Sequence, residues 1–361
     1  MTMNNPPNVA IIILNWNGWR DTIECLEAAL QLTYPNFLLI VVDNGSWDGS
    51  SEKIRAWAGE ALGKAHVFLE YTRAEALQGG KEQNEENFEH VASKSKMVLI
   101  RNEENLGFTG GCNVAFHYVL RKKHPADFCF LLNNDAKVDK ECLIQLVSAS
   151  READAGIVGS VIKDEASGEI GCLGGYGNFP LFREYFHPIV RWPMPPVGVD
   201  EHFWNFHWVS GAGMLIRKDT LMGVYAITGN YFDDRLFLYG DEFSFCWTAR
   251  EVGYTIIVSK RSIIYHKHAH SSGGRHSPIA YYYQTRNLII RGREMLSLQL
   301  RILFYSFNLL HRSGQVLKNL LNQRFCSAWA IICGVWDGYR GTFGKWKYHD
   351  QAALKWRDRK R

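Results

Sequence analysis

Several short clusters combine residue types able to bind a nucleotide, a cation or a reacting hydroxyl. Asp43, in Asp43-Asn44-Gly45-Ser46, closes an apolar run. A carboxylate there can accept a hydrogen bond from the imide N–H of uracil or thymine, or from a ribose hydroxyl. Asn15, in Asn15-Trp16-Asn17-Gly18, closes the run before it. In Asn133-Asn134-Asp135 the acid again follows an apolar run. Placed there, it can hold a hard divalent cation through oxygen, and that cation can bridge the two phosphates of a nucleotide diphosphate. The stretch Asn105-Leu106-Gly107-Phe108-Thr109-Gly110-Gly111-Cys112-Asn113 is a glycine-rich lead-in to a helix, of the kind that lets backbone N–H groups approach a phosphate.

Two further clusters lie in the second half. Gly240-Asp241-Glu242 opens a helical pattern. The helix dipole alone favours acids in a first turn, but a carboxylate placed there can also serve as general base towards a hydroxyl. In Tyr265-His266-Lys267-His268-Ala269-His270 three histidines alternate after a strand-like run, so an extended chain would point all three the same way. His266, nearest the strand, is the first choice as a metal ligand. Turn chemistry explains any one Asn/Asp/Gly cluster on its own. It explains a whole rim of them less well.

That rim follows from the elements. Val9 to Leu14, Phe37 to Val42, Met97 to Ile100 and Phe128 to Leu132 are apolar runs that read as strands buried on both faces. Helical spacing separates them (Trp19 to Leu32, Ser50 to Ala58, Gly110 to Arg121). The alternation predicts a Rossmann-like, doubly wound α/β domain with a mostly parallel sheet, whose ligands bind at the carboxyl ends of the strands. The charge-rich stretch Lys81 to His90 reads as an excursion from the sheet, and Ser167 to Asn205 as a long loop with hairpin elements. Trp208 to Ile216, Tyr254 to Val258 and Ser262 to Tyr265 read as strands, Glu242 to Val252 as a helix, and everything from Ile279 onward as helical.

Taken together, these residues resemble the family 2 glycosyltransferases, in particular a rhamnosyltransferase-like branch. The resemblance runs from about Val9 to Asn287. It is carried by Ile13-Leu14-Asn15-Trp16-Asn17, Val42-Asp43-Asn44-Gly45-Ser46, Asn105-Leu106-Gly107-Phe108 with Gly111 and Asn113, Leu132-Asn133-Asn134-Asp135, Val209-Ser210-Gly211-Ala212, and Asp241-Glu242 before Cys246-Trp247. It implies a GT-A fold and inverting transfer of a sugar from a nucleotide diphosphate sugar to a hydroxyl. By the same resemblance Asn15, Asp43, Asn105, Gly107, Asn113, Asn134 and Asp135 would border the nucleotide sugar, and Trp208, Gly211 and Ala212 the acceptor. Asp135, with His266, would hold Mg²⁺ or Mn²⁺. The family's acidic pair is usually Glu then Asp. Here Asp241 precedes Glu242, so Glu242 takes the place of the base, and Asn133 replaces the first acid of the DXD motif.

The expected division is a catalytic domain over 1–276, with a nucleotide-sugar half to about 136 and an acceptor half over 137–276, followed by a helical extension over 277–361. Net charge over the whole chain is +4. From Gln284 onward, however, fifteen Lys/Arg stand against four Asp/Glu, which suggests an anionic partner for this extension. Its alternation of aliphatic and basic residues fits helices lying on an anionic membrane, where a glycan or lipid-linked acceptor would be presented. Helices packed on the domain with a solvated basic face are the plainer alternative. The eight cysteines form no C-x-x-C pair, and no leader-like or spanning apolar run occurs, so a cytoplasmic protein, peripheral at most on the inner face of the membrane, is expected. Two other readings remain open at this point. A nucleotidyltransferase would show a basic glycine-rich loop after the first strand, where Asn15-Trp16-Asn17-Gly18 has none. A nucleic-acid-binding protein would use the basic tail, but no nucleic-acid module is recognisable, and no nucleic-acid partner is expected.

Overall fold

The computed structural model describes residues 6–62, 67–91, 96–175, 202–267 and 277–352. His268 and His270, most of the expected loop between Ser167 and Asn205, and the last nine residues lie outside them.

The four apolar runs form β1 (Val9–Asn15), β2 (Phe37–Asn44), β4 (Lys96–Asn102) and β5 (Phe128–Asn133), and a further strand, β3 (Phe68–Thr72), adds an edge. These five pair in parallel in the order β3-β4-β2-β1-β5. Beyond β5 the sheet is mixed. β10 (Gly213–Arg217) inserts antiparallel between β5 and β7 (Ile157–Asp164), β11 (Ile256–His266) runs parallel to β7, and β6 (Ala136–Val138) caps that edge. Two short strands, β8 (Ile170–Cys172) and β9 (Phe203–Asn205), pair with β7 and β11. A single sheet therefore runs through both halves of the region expected to be the catalytic domain, mostly parallel in the first and mixed in the second.

Alternate strand residues feed two cores, as period-two geometry requires. Ile12, Ile40, Val98 and Leu131 pack on one face with α5 (Gly107–Arg121), α7 (Lys218–Thr228) and α8 (Asp241–Glu251). Ile11, Leu39, Leu99 and Phe130 pack on the other with α1 (Trp19–Leu30), α2 (Ser50–Ala61) and α6 (Cys142–Glu152). A third core joins Phe237 to Tyr282, Tyr283, Ala330 and Trp346 from α9 (Pro278–Met295), α11 (Phe325–Arg340) and the chain beyond.

Four points of the sequence reading are amended. Lys81 to His90 is not merely an excursion, because it carries the helix α4 (Glu82–Glu89). Its Glu85 accepts from Tyr118 Oη at 2.7 Å and pairs with Lys122 at 2.6 Å, so the polar residues hold the helix to α5. β3, next to the short α3 (Arg73–Ala76), escaped notice because an edge strand is half-exposed and carries Glu70, which pairs with Arg55 and Arg101. Of Trp208 to Ile216 only the part from Gly213 is strand. The two strand-like runs near 260 are one bulged strand, β11.

Candidate active site

The parallel register sets Asn15 opposite Asp43 at the carboxyl ends of β1 and β2. Asn15 Nδ2 donates to Asp43 Oδ1 at 2.6 Å, and the hydroxyls of Ser46 and Ser51 donate to the two carboxylate oxygens at 2.5 Å each. Asp43 is buried. Three donors leave part of its acceptor capacity open, since an ionised carboxylate offers about four lone-pair sites. Thr22, on the first turn of α1, donates to Asn15 Oδ1 at 2.8 Å and accepts from Asn134 Nδ2 at 3.1 Å. An unbroken polar chain thus crosses the tips of β2, β1 and β5.

β5 carries the chain onward. The antiparallel pairing of β6 with β11 sets His266 opposite Ala136, immediately after Asp135. His266 Nε2 lies 2.9 Å from Asp135 Oδ1, and the Asn133 amide is 3.2 Å from the same nitrogen. The backbone N–H of Lys267 donates to Asp135 O at 3.0 Å, and its ammonium reaches Asp21 and Glu24 on α1 at 2.7 and 2.9 Å. Burial alone would lower the Lys267 ammonium, but these two acids outweigh it and hold it above its ordinary range. The strand end bearing His266 is thereby pinned. The 2.9 Å between Asp135 and His266 is itself a direct hydrogen-bond or ion-pair contact, and the carboxylate oxygen and imidazole nitrogen are ligand types that suit Mn²⁺ better than Mg²⁺. Among the described residues no group of three or more His, Cys, Asp or Glu gathers in metal-binding geometry.

The residues expected on the acceptor side join at the same strand ends. Asn133 N donates to Ala212 O at 3.2 Å, and one residue earlier Gly211 N donates to Glu242 Oε1 at 3.4 Å. A Cβ on Gly211 would stand 3.1 Å from both Glu242 Cγ and Phe108, so glycine lets the carboxylate lie against this loop. Asp241 is buried beside it. Burial, then the charges of Asp241 and Glu242, push the Cys112 thiol far up. Cys246 is pushed to about 12 by burial, which outweighs a hydrogen bond to Val209 that lowers it, with both acids adding to the rise. Both thiols stay protonated and inert.

The other expected site residues make the following contacts. Asn105 accepts from Gly107 N and Asn44, and Gly107, at φ +74°, lies so close to the Phe237 carbonyl that any Cβ would collide with it. Asn113 pairs through its amide with both backbone groups of Phe232 and with Asn230. These contacts shape the α5 lead-in by packing. Trp208 is a core residue whose backbone bridges Gly175, and Ala212 is buried. Of the expected acceptor residues, Gly211 is the one that touches Glu242.

Reading the sequence missed the residues of α9 that support α8. Asn287 Nδ2 donates to the carbonyls of Leu236, Leu238 and Tyr239 at 3.1, 2.8 and 2.7 Å. The wholly buried Arg286 reaches Leu236 O at 2.6 Å and Gly344 O at 2.5 Å. Arg291 Nη1 holds Gly240 O at 2.7 Å and covers the Phe243 ring. Phe237 and Tyr239 sit at φ +66°, a conformation that costs non-glycine residues and persists only where surrounding structure imposes it. The available signal was an Arg-Asn pair inside a run of buried tyrosines and isoleucines.

With this geometry in place, comparison with known proteins is informative. Residues 10–74 match the sequence model of glycosyl transferase family 2, a span holding Asn15 and Asp43. No curated protein matches the chain. The crystal structure of GalNAc-T7 with UDP, GalNAc and Mn²⁺ superposes with a TM-score of 0.58 at 13% identity, covering 84% of this chain and 50% of that one. Mannosyltransferase PcManGT from Pyrobaculum calidifontis, in complex with GDP-Man and Mn²⁺, superposes with a TM-score of 0.51 at 11% identity, covering 93% and 88%. The chain thus spans about half the length of the GalNAc-T7 chain. Its fold is that of the GT-A glycosyltransferases, and its first strands carry the family 2 sequence pattern.

Proposed function

We propose that the protein is an inverting glycosyltransferase that moves a sugar from a nucleotide diphosphate sugar to a hydroxyl of a glycan or lipid-linked acceptor. The continuous line of contacts from Asp43 through Asn15, Thr22 and Asn134 to Asn133, Ala212, Gly211 and Glu242 carries this reading. It sets nucleotide-type groups and a candidate base along one sheet edge.

Asp43 and Asn15 take the base and ribose, and Asn134 borders the sugar nucleotide beside Asp135. Glu242 accepts the acceptor's proton as the hydroxyl oxygen bonds to the anomeric carbon. The bond from that carbon to the phosphate oxygen breaks with its electron pair leaving on the diphosphate, and the single displacement inverts the centre. Asp135 and His266 would hold Mg²⁺ or Mn²⁺, which supplies positive charge to the leaving diphosphate. Rhamnose carried on dTDP is the preferred donor, with UDP the alternative carrier, and cell-surface polysaccharide synthesis at a cytoplasmic membrane face is the setting.

A thermal-shift screen of dTDP, UDP and GDP with and without Mn²⁺ tests the donor side, since a ligand binding only the native state raises its apparent stability. Release of dTDP from dTDP-rhamnose in the presence of a glycolipid acceptor tests the reaction. Failure of every nucleotide diphosphate to stabilise the protein would overturn the assignment.

A further inference from the structure

The helix α10 (Leu298–Leu321) is inverted relative to an ordinary surface helix. Its four buried residues are Phe304, Asn308, Arg312 and Asn319, three of them polar. Leu303, Leu310 and Leu317, spaced by seven, line its outward face, and Leu310 is 74% exposed. In α11 the buried side is made of small residues and Ile331. Gly334 and Gly338 sit where a Cβ would press on Tyr282 O and on Ile289 of α9. Its other side shows Phe325, Trp329 and Trp336, with Trp336 61% exposed. The two helices adjoin where the Tyr305 and Tyr339 rings meet edge to face at 5.1 Å.

We propose that this α10–α11 face is a docking surface for an anionic lipid bilayer. Exposed apolar patches of this extent mark interaction sites, and the charge selects the occupant. From Leu298 to Arg340 the two helices and the turn between them carry five Lys/Arg, of which Arg312 is buried, and a single acid, Asp337. That acid is turned to α9, where it accepts from Tyr282 Oη at 2.6 Å. A second copy meeting the same face would bring like charge against like charge. An anionic bilayer offers both an apolar interior and negative head groups, and tryptophans settle at that boundary. No helix among the described residues is long and apolar enough to cross a membrane, so the face lies on the surface. This inference stands apart from the transfer reaction, although α9 links the face to the loop before Glu242.

The test is co-sedimentation of the full chain with phosphatidylcholine vesicles, with and without phosphatidylglycerol, at low and high ionic strength. Binding is expected only with the anionic lipid and should weaken with salt. Trp329→Ser with Trp336→Ser should lower the partition about tenfold or more through lost apolar burial. Replacing both Lys318 and Arg324 with Gln should lower it roughly fivefold per cation. All four residues are exposed, so melting temperature and nucleotide-induced stabilisation should be unchanged in these variants. Equal sedimentation with neutral lipid, wild-type partition in the double tryptophan variant, or light scattering showing a dimer that shields both tryptophans would each overturn the proposal.

Discussion

Glu242 Oε1 rests 3.4 Å from the backbone nitrogen of Gly211, on the far side of the β5 tip from Asp43. If this carboxylate takes the acceptor's proton, Glu242→Gln should lower kcat by about 10²–10⁴-fold, the usual worth of general-base assistance. Donor affinity should be retained, because Glu242 lies away from the Asn15–Asp43 network. Steady-state transfer kinetics beside a donor-binding titration check both halves, and wild-type turnover would remove Glu242 from the reaction.

Asp135→Asn and His266→Ala each take away one of the paired atoms that stand 2.9 Å apart. Both variants should lose most of the Mn²⁺-dependent part of nucleotide diphosphate stabilisation and keep the metal-independent part. Chelation of the wild-type protein should reproduce the same loss in a thermal-shift titration. A variant whose Mn²⁺ response matched wild type would place the cation elsewhere.

Asn287→Ala strips a donor from the Leu238 and Tyr239 carbonyls of the 236–239 turn, while Leu236 O keeps its bonds from Arg286 and from Leu238 N. Buried carbonyls left unsatisfied cost about 1–3 kcal/mol each, so urea unfolding should show a loss of about 2–4 kcal/mol. Since the turn leads directly into Asp241 and Glu242, kcat should fall while the donor KM stays near wild type. Arg286→Lys should not substitute for the arginine, because an ammonium cannot span the Leu236 and Gly344 carbonyls as the guanidinium fork does. An equal rise in KM and fall in kcat would point to a donor-contact role instead.

His349 is buried against Trp16 and Phe237, and burial lowers its pKa from the usual 6.5 to about 4 despite the nearby Asp350. The unfolded chain therefore binds a proton that the folded chain refuses between these values, so stability rises with pH across that window. About 3 kcal/mol is present above pH 6.5 and lost as pH falls towards 4, at 1.36 kcal/mol per unit. His349→Gln should flatten this part of the stability profile measured by denaturant unfolding at a series of pH values.

The parallel strands and the acids at their ends could be read in advance because each signal is local. Val9 to Leu14 is apolar on both faces, and Asn15 follows at the tip. What escaped was set by pairing between distant segments. Thr22 joins Asn15 to Asn134 only because α1 returns over the tips of β1 and β5. Asp135 and His266 could be named together from their residue types, but their direct contact needs the register of β6 on β11. The contacts of Gly107 with Phe237 and of Asn113 with Phe232 bridge more than a hundred positions, so local sequence could not show them. Arg286 and Asn287 were hidden inside a helix whose pattern reads simply as amphipathic.

β5 is hydrogen-bonded along one side to β1 and along the other to β10. The surfaces that would receive donor and acceptor therefore belong to one rigid slab and cannot work as jaws closing on a hinge. A crosslink from β1 to β10 across β5 should accordingly leave turnover untouched.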